Sequence, residues 1–307
     1  MPFKNVSSLR QVATLEGQVT GGSFHRAMSV VAMAATNPVQ VALLPLNGVN
    51  PKIQAISLSE VSDIALLNRD MAIVRSADTI WALLDLAHKP KVEEVGRDAK
   101  LLCAKPAGGG ALSIKWDGSG EEFAPGKNDV AVRSFQLRGD TRCADVGETE
   151  CYAVVDGGDG EFRIHPGSTP EQGSVAKVAL PSGAKNLDRV RGGKFLSAVY
   201  QKNNAIVCLI RRAGNRLDTR MIRLDWAPTD IAVSETSLFA TTGDGRVVLF
   251  DAESIEKSTP SLIEARSEAR IGCQGEPRVM VVAGGALFIG TSSGEVYQGT
   301  IVRKQAT

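Results

Sequence analysis

The sequence predicts an all-β fold: seven four-stranded antiparallel sheets arranged as blades of a β-propeller, the ring closed by the N-terminal strand. Three observations carry it: a phrase stated twice near the C-terminal end, a hairpin recurring every 40–45 residues, and a lack of convincing helical periodicity.

The repeated phrase is "SLFATTGDGRVVLFD" at 237–251 and "ALFIGTSSGEVYQGT" at 286–300. A shift of 49 residues aligns Pro228 with Pro277, Val233 with Val282, Leu238-Phe239 with Leu287-Phe288, Thr242 with Thr291, Gly245 with Gly294 and Val247 with Val296. An older echo sets "SDIAL" at 62–66 against "TDIAV" at 229–233. Each copy reads as a short β-branched run, a turn and another short run, lengths that suit strands rather than helices.

Alternation agrees. Leu112, Ile114 and Trp116 are apolar around polar Ser113 and Lys115, and Ile222, Leu224 and Trp226 alternate with Arg223 and Asp225. The best helical candidate, 252–270, is interrupted by Pro260 and holds at most a short helix.

Seven hairpins follow, with turns near Asn37-Pro38, Ala77-Asp78, 117–120, 157–160, 202–204, 243–245 and 292–294. The strands after them start near 39, 79, 121, 161, 205, 246 and 295, in steps of 40, 42, 40, 44, 41 and 49 residues. A four-stranded unit of this period is a propeller blade. A lone blade cannot bury its two apolar faces, so blades stack around an axis. Leu238 and Phe239, like Leu287 and Phe288, are then expected on a second strand, one side chain meeting each neighbouring blade. Gly245 and Gly294 supply the positive torsion of tight turns.

The third strand of the last blade, 295–301, is followed by only "VRKQAT", so "LRQVATLE" at 9–16 is expected to supply its outer strand and latch the ring. Residues 1–307 are read as one domain. The least strand-like inner segment is "QVTGGSFHRA" at 18–27, with its two glycines.

This period, with Val248-Leu249-Phe250-Asp251 where the third strand would end, resembles the WD-repeat and WD-like seven-bladed propellers over nearly the whole chain. No Gly-His dipeptide precedes any blade, and three histidines are too few for the Asp-His-Ser-Trp network of that family. The resemblance implies a platform for partner proteins and carries over no catalytic residue.

The remaining composition narrows the function. Against 35 basic residues stand 34 acidic ones, so no global field draws the chain to nucleic acid or an anionic membrane, and aromatics make up only 5%. No apolar segment approaches the roughly 20 residues that span a bilayer, and no signal peptide is expected. Five scattered cysteines without a CxxC pair suit a reducing, cytoplasmic setting, although Cys143 and Cys151 are placed to face each other across a hairpin.

Gly290-Thr291-Ser292-Ser293-Gly294 matches G-x-S-x-G, yet a strand follows it and the last histidine, His165, precedes it, so it reads as a hairpin turn. His25, His88 and His165 are isolated, and "DGGDG" at 156–160 lacks the spaced carboxylates of a calcium loop. "PAGGGAL" at 106–112 and "RGGKF" at 191–195 lack the lysine and helix of a phosphate loop. No catalytic residue, metal site or cofactor is expected.

Two surfaces remain. The turns between second and third strands share one face, so Asn37, Asp78, Asp117, Asp159, Asn203, Asp244 and Ser293 are expected around the channel mouth. Arg211, Arg212, Arg216, Arg220 and Arg223 crowd the outer edge of the fifth blade, where Arg216, Arg220 and Arg223 offer a dock for an acidic partner. The reading is a cytoplasmic, non-enzymatic protein-interaction scaffold. Its rival is a propeller enzyme, or a small-ligand or metal binder, using the channel mouth.

Overall fold

In a computed structural model of the chain, the described residues are 4–48, 50–105, 109–127, 129–137, 141–147, 150–155, 160–166, 175–214, 216–234, 237–251, 267–272 and 275–303. They begin with β1 (Lys4–Val6) and β2 (Arg10–Thr14). Blade 1 is β3 (Gln18–His25), β4 (Val30–Thr36), β5 (Gln40–Pro45) and β6 (Lys52–Ala55); blade 2 is β7 (Asp63–Leu66), β8 (Met71–Ser76), β9 (Thr79–Leu84) and β10 (Lys91–Gly96). Blade 3 is β11 (Ala99–Ala104), β12 (Ala111–Lys115), β13 (Ser119–Pro125) and β14 (Val130–Gln136); blade 4 is β15 (Thr141–Val146), β16 (Glu150–Val155), β17 (Glu161–Pro166) and β18 (Ala176–Ala179). Blade 5 is β19 (Arg189–Arg191), β20 (Leu196–Tyr200), β21 (Ile206–Ala213) and β22 (Arg216–Arg223); blade 6 is β23 (Pro228–Ser234), β24 (Ser237–Thr242), β25 (Arg246–Asp251) and β26 (Ser267–Arg270). Blade 7 is β27 (Pro277–Ala283), β28 (Ala286–Thr291) and β29 (Glu295–Arg303), completed by β2 and β1.

Every pairing is antiparallel between neighbours in sequence, except at the closure. There β29 pairs with β2 over its first half (Thr14↔Glu295 to Arg10↔Gln298) and with β1 over its second (Val6↔Ile301 to Lys4↔Arg303). Between the two, the Ser7 N–H donates to the Thr300 carbonyl at 2.8 Å and the Thr300 N–H donates to the Ser7 hydroxyl at 3.0 Å. The latch also packs. Val6 joins the apolar layer between blades 6 and 7, whereas Ala13 and Leu15 join the layer between blades 7 and 1.

Seven apolar layers lie between the blades, one at each junction including that of blade 7 with blade 1. This is why second strands such as β20 and β24 are buried along their whole length: a blade has no solvent face near its centre. Leu238 faces blade 5 and Phe239 faces blade 7, while Leu287 faces blade 6 and Phe288 faces blade 1, as the repeat predicts. Each such side chain withdraws enough apolar surface to stabilise by about 1.5–3 kcal/mol.

Two further regularities hold the blades in register. Among the described residues, each turn between second and third strands carries one at positive φ: Asn37, Ala77, Gly118, Gly160, Asn203, Gly245 and Gly294. In six blades a buried Leu or Ile just past the fourth strand donates its N–H to that turn's carbonyl: Leu15 to Gly294, Ile56 to Val39, Leu137 to Gly118, Leu180 to Gly160, Leu224 to Ala205 and Ile271 to Gly245. Neighbouring blades are then tied by hydrogen bonds 40 to 43 residues apart in sequence, such as Leu66 N–H to Ser23 Oγ and Arg191 Nε to the Ile231 carbonyl.

Several local expectations change. The segment 18–25 is a full eight-residue strand. Its glycines are needed because a Cβ on Gly21 would sit 2.9 Å from Asp63 Cα, and one on Gly22 would meet Met33 and Val281 at 2.8 Å. Alternation misleads at "LSIKW". Ser113 is buried because both blade faces near the axis are covered and polarity no longer marks the side, and Trp116 is 69% exposed because the strand ends at Lys115 and leaves it in the turn. Cys143 pairs with Val154 and Cys151 with Val146, so the two thiols do not face each other. Of the helical candidate, 252–266 lies outside the described residues and Ser267–Arg270 is a strand. The described residues hold only one short 3-10 helix, Ser182–Ala184, and no helix among them is long and apolar enough to cross a membrane.

Candidate functional site

The inner strands of all seven blades line one axial cavity of about 210 Å³, bounded among others by Ser23, Asp63, Cys103, Asp145, Arg189, Arg191, Lys202, Asp230 and Met280. Asp63 and Asp230 occupy matching places in the "SDIAL" and "TDIAV" echoes, and the inner-strand position puts both on the axis. They are used differently. Asp63 Oδ2 accepts from Arg75 Nε at 2.9 Å and from Arg75 Nη2 at 2.7 Å within its own blade. Asp230 instead joins three blades: Tyr200 of blade 5 donates to its Oδ1 at 2.6 Å, and the Met280 N–H of blade 7 donates to its Oδ2 at 2.9 Å. Burial opposes its ionisation, but Lys202, Arg191 and the Tyr200 hydroxyl outweigh burial and hold the carboxyl below the usual range.

Around this carboxylate the cations gather. Arg191 Nη2 lies 3.7 Å from Asp230 Oδ1. Lys202 Nζ donates to the Arg278 carbonyl at 2.8 Å. Burial pushes the Lys202 pKa down, with Arg189, Arg191 and Arg278 adding repulsion against the pull of Asp230. Asp145, which accepts from the Gly192 N–H at 2.8 Å, has its pKa raised by burial. A second cavity of about 370 Å³ shares Thr20 and Lys202 with the first and is lined further by Glu60, Ser62, Arg75 and Arg278. It opens on the face of the second-to-third strand turns, as its lining by Thr36 and Ala77 shows.

The polar turn residues expected around the channel mouth are not among those that line this opening. Asn37, Asp78, Asp117, Asn203, Asp244 and Ser293 are all exposed on that face, and none of the six lines either cavity; Asp159 lies outside the described residues. Several are engaged in building their own turns. Asp117 accepts from the Ser119 N–H at 2.9 Å and its hydroxyl at 2.6 Å, which lowers its pKa. Asp244 accepts from Thr242 and pairs with Arg246, and Ser293 bonds Glu295. Trp116, next to Asp117, is the large apolar side chain on this face that sequence alternation assigned to a strand. Lys100 Nζ stands 4.8 Å over its ring. Its signal was present, since Trp116-Asp117 runs straight into the turn Asp117-Gly118-Ser119-Gly120.

The arginine edge is where the sequence puts it, on the outer hairpin β21–β22, but it is not one patch. Ile222 packs toward blade 6 whereas Leu217 and Met221 pack toward blade 4. Strand alternation therefore sets Arg216 and Arg220 on one side of β22 and Arg223 on the other. Arg216 pairs with Asp218 at 3.0 Å and Arg212 with Glu150 of blade 4.

No group of three metal-ligating side chains occurs among the described residues. His25 is buried with Nε2 3.0 Å from the Leu67 carbonyl, and His88 pairs with Asp85 on the surface. Burial pushes the Cys151 and Cys208 thiols up to about 12, which removes the thiolate form that nucleophilic chemistry needs. The G-x-S-x-G stretch is the β28–β29 turn, and Ser292 Oγ there accepts from the Glu276 N–H.

No protein-family model matches the chain, and no curated protein is similar to it in sequence. Solved structures are. Virginiamycin B lyase from Staphylococcus aureus superposes with a TM-score of 0.65 at 12% identity, covering 98% of this chain and 100% of the lyase. The WD40 repeats of RRP9 give 0.66 at 12% identity, covering 98% and 100%. Raptor from Chaetomium thermophilum gives 0.67 at 12% identity over 98% of this chain but 30% of its own. At that identity the likeness is one of fold, and the fold is that of the seven-bladed propellers, WD40 repeats among them.

Proposed function

We propose that residues 1–307 form a single-domain, non-enzymatic scaffold that binds a partner protein or peptide on the face of the second-to-third strand turns. The observation that carries this reading is Trp116. A side chain of this size, 69% exposed beside Asp117 and braced by Lys100, is the amphipathic anchor that interface energetics favour. Loops on a rigid ring are also where binding residues gather on folds of this kind. The reading includes a cytoplasmic location, supported by four buried cysteines present as free thiols.

The experiment is affinity purification from the native host with three baits: the parent chain, Trp116→Ala, and the triple reversal of Arg216, Arg220 and Arg223 to Glu. Loss of a specific partner with Trp116→Ala alone supports the turn face. Loss with the triple variant alone moves the interface to the blade edge. Equal recovery by all three baits refutes both surfaces.

A further inference from the structure

The acids and the cations of the axial cavity are not equally occupied. Both oxygens of Asp230 are used, Asp63 is held twice by Arg75, and Asp145 accepts the Gly192 N–H. On the other side, Arg189 has no hydrogen-bond or ion-pair partner among the described residues although its side chain lines the cavity. Lys202 uses one of its three N–H donors, on the Arg278 carbonyl. The Nε of Arg278 is buried without a partner, while its Nη2 pairs with Glu276 at 2.8 Å. Arg191 adds a fourth positive charge, committed to Asp230 and the Ile231 carbonyl.

We propose that Arg189, Lys202 and Arg278 form a binding site for one small, multiply charged oxyanion, of the phosphate-monoester or dicarboxylate class, where the axial cavity adjoins the second cavity: Arg189 lines the first, Arg278 the second and Lys202 both. The donors come from the start of β19, the turn after β20 and the start of β27, so a ligand with several acceptor oxygens fits them better than a monatomic ion. Charge-assisted bonds to Lys202 and Arg189 are the strong kind, Lys202 being the more buried of the two. The anion would also relieve the mutual repulsion of Arg189, Arg191, Lys202 and Arg278, which Asp230 balances only in part. The second cavity provides the way in. This site does not rest on the scaffold reading, and Trp116 plays no part in it.

The probe is inorganic phosphate, titrated by calorimetry into the full chain and followed in parallel by thermal unfolding against sodium chloride of equal ionic strength. Saturable binding is expected, with a rise in Tm of about 2–5 °C that chloride does not reproduce. Arg189→Ala, at an exposed position where folding is safe, and Lys202→Met are each expected to weaken phosphate binding at least tenfold, and Trp116→Ala to leave it unchanged. Equal stabilisation by chloride, or phosphate affinity in both cation variants unchanged from the parent, overturns the site and leaves an adventitious ion only. A phosphoserine peptide binding at least tenfold more tightly than phosphate assigns the anion to a partner chain; equal affinity assigns it to a free small molecule.

Discussion

Tyr200 and Asp230 share a 2.6 Å hydrogen bond across the junction of blades 5 and 6, and both side chains are buried to within 2% of completely. Through its other oxygen Asp230 caps the Met280 N–H of blade 7, so one carboxylate ties three consecutive blades. A lone ionised carboxyl in such a place would be strongly unfavourable. It is tolerated because a hydroxyl, an amide and two cations surround it.

Tyr200→Phe removes one donor to an ionised acceptor and keeps the ring packing, so a loss of about 1–3 kcal/mol is expected. Asp230→Ala leaves Arg191 without its partner and the Met280 N–H unsatisfied, and about 3–5 kcal/mol is expected. Denaturant unfolding of the two variants checks the order; a larger loss for Tyr200→Phe would contradict the assignment of Asp230 as the hub.

Deleting residues 1–16 removes both N-terminal strands, bares the edge of β29 and takes Val6, Ala13 and Leu15 out of two apolar layers. A fall in Tm of about 5 °C or more is expected by calorimetry. A truncated chain melting within a degree or two of the parent would mean that the ring holds without its latch.

The repeat makes a matched pair of turn glycines, and the structure separates them. A Cβ on Gly294, at φ +91°, would lie 2.0 Å from the Leu15 carbonyl oxygen of the latch. One on Gly245, at φ +84°, would lie 3.3 Å from the Ile271 oxygen. Gly245→Ala is expected to lose about 1–2 kcal/mol from torsion alone, and Gly294→Ala clearly more because the latch must move. Equal losses in chemical denaturation would argue against the close approach of Leu15.

His165 of β17 is 8% exposed and neither ring nitrogen has a hydrogen-bond partner among the described residues. Burial lowers its pKa from 6.5, with Arg163 adding to the effect. The unfolded chain therefore binds the proton first as pH falls. The stability linked to this group is fully present above about 6.5 and drains away below it, down to the lowered folded value. His165→Leu should flatten the dependence of Tm on pH just below about 6.5. An unchanged slope would reassign it to other groups.

Much of the ring was legible because blades are local objects. The seven predicted turns each coincide with a second-to-third strand connection, and six of them contain a described polar residue that was expected on that face. The doubled Leu-Phe pairs gave the two faces of the second strand directly. Alternation failed at Ser113, where burial is two-sided, and at Trp116, which lies past the end of the strand in the exposed turn. It divides Arg216 and Arg220 from Arg223 by parity, but which neighbouring blade each side faces is fixed only by the packing of Ile222, Leu217 and Met221. The row of buried Leu and Ile past the fourth strand of six blades was present in the sequence as a period, but only the hydrogen bond to the preceding turn gives it meaning.

Turn positions and the pairing of an N-terminal strand with the last blade were written in the chain, because each depends on neighbours in sequence or on a repeat that can be counted. The chemistry of the axis was not. Lys202 and Arg278 meet across 76 residues, and Asp230 meets Met280 across 50, at distances set by how steeply seven sheets lean on one another. Charges scattered evenly along a nearly neutral sequence become a concentrated cation cluster only when the inner strands converge. Closure of the ring therefore decides the electrostatics that local pattern leaves open.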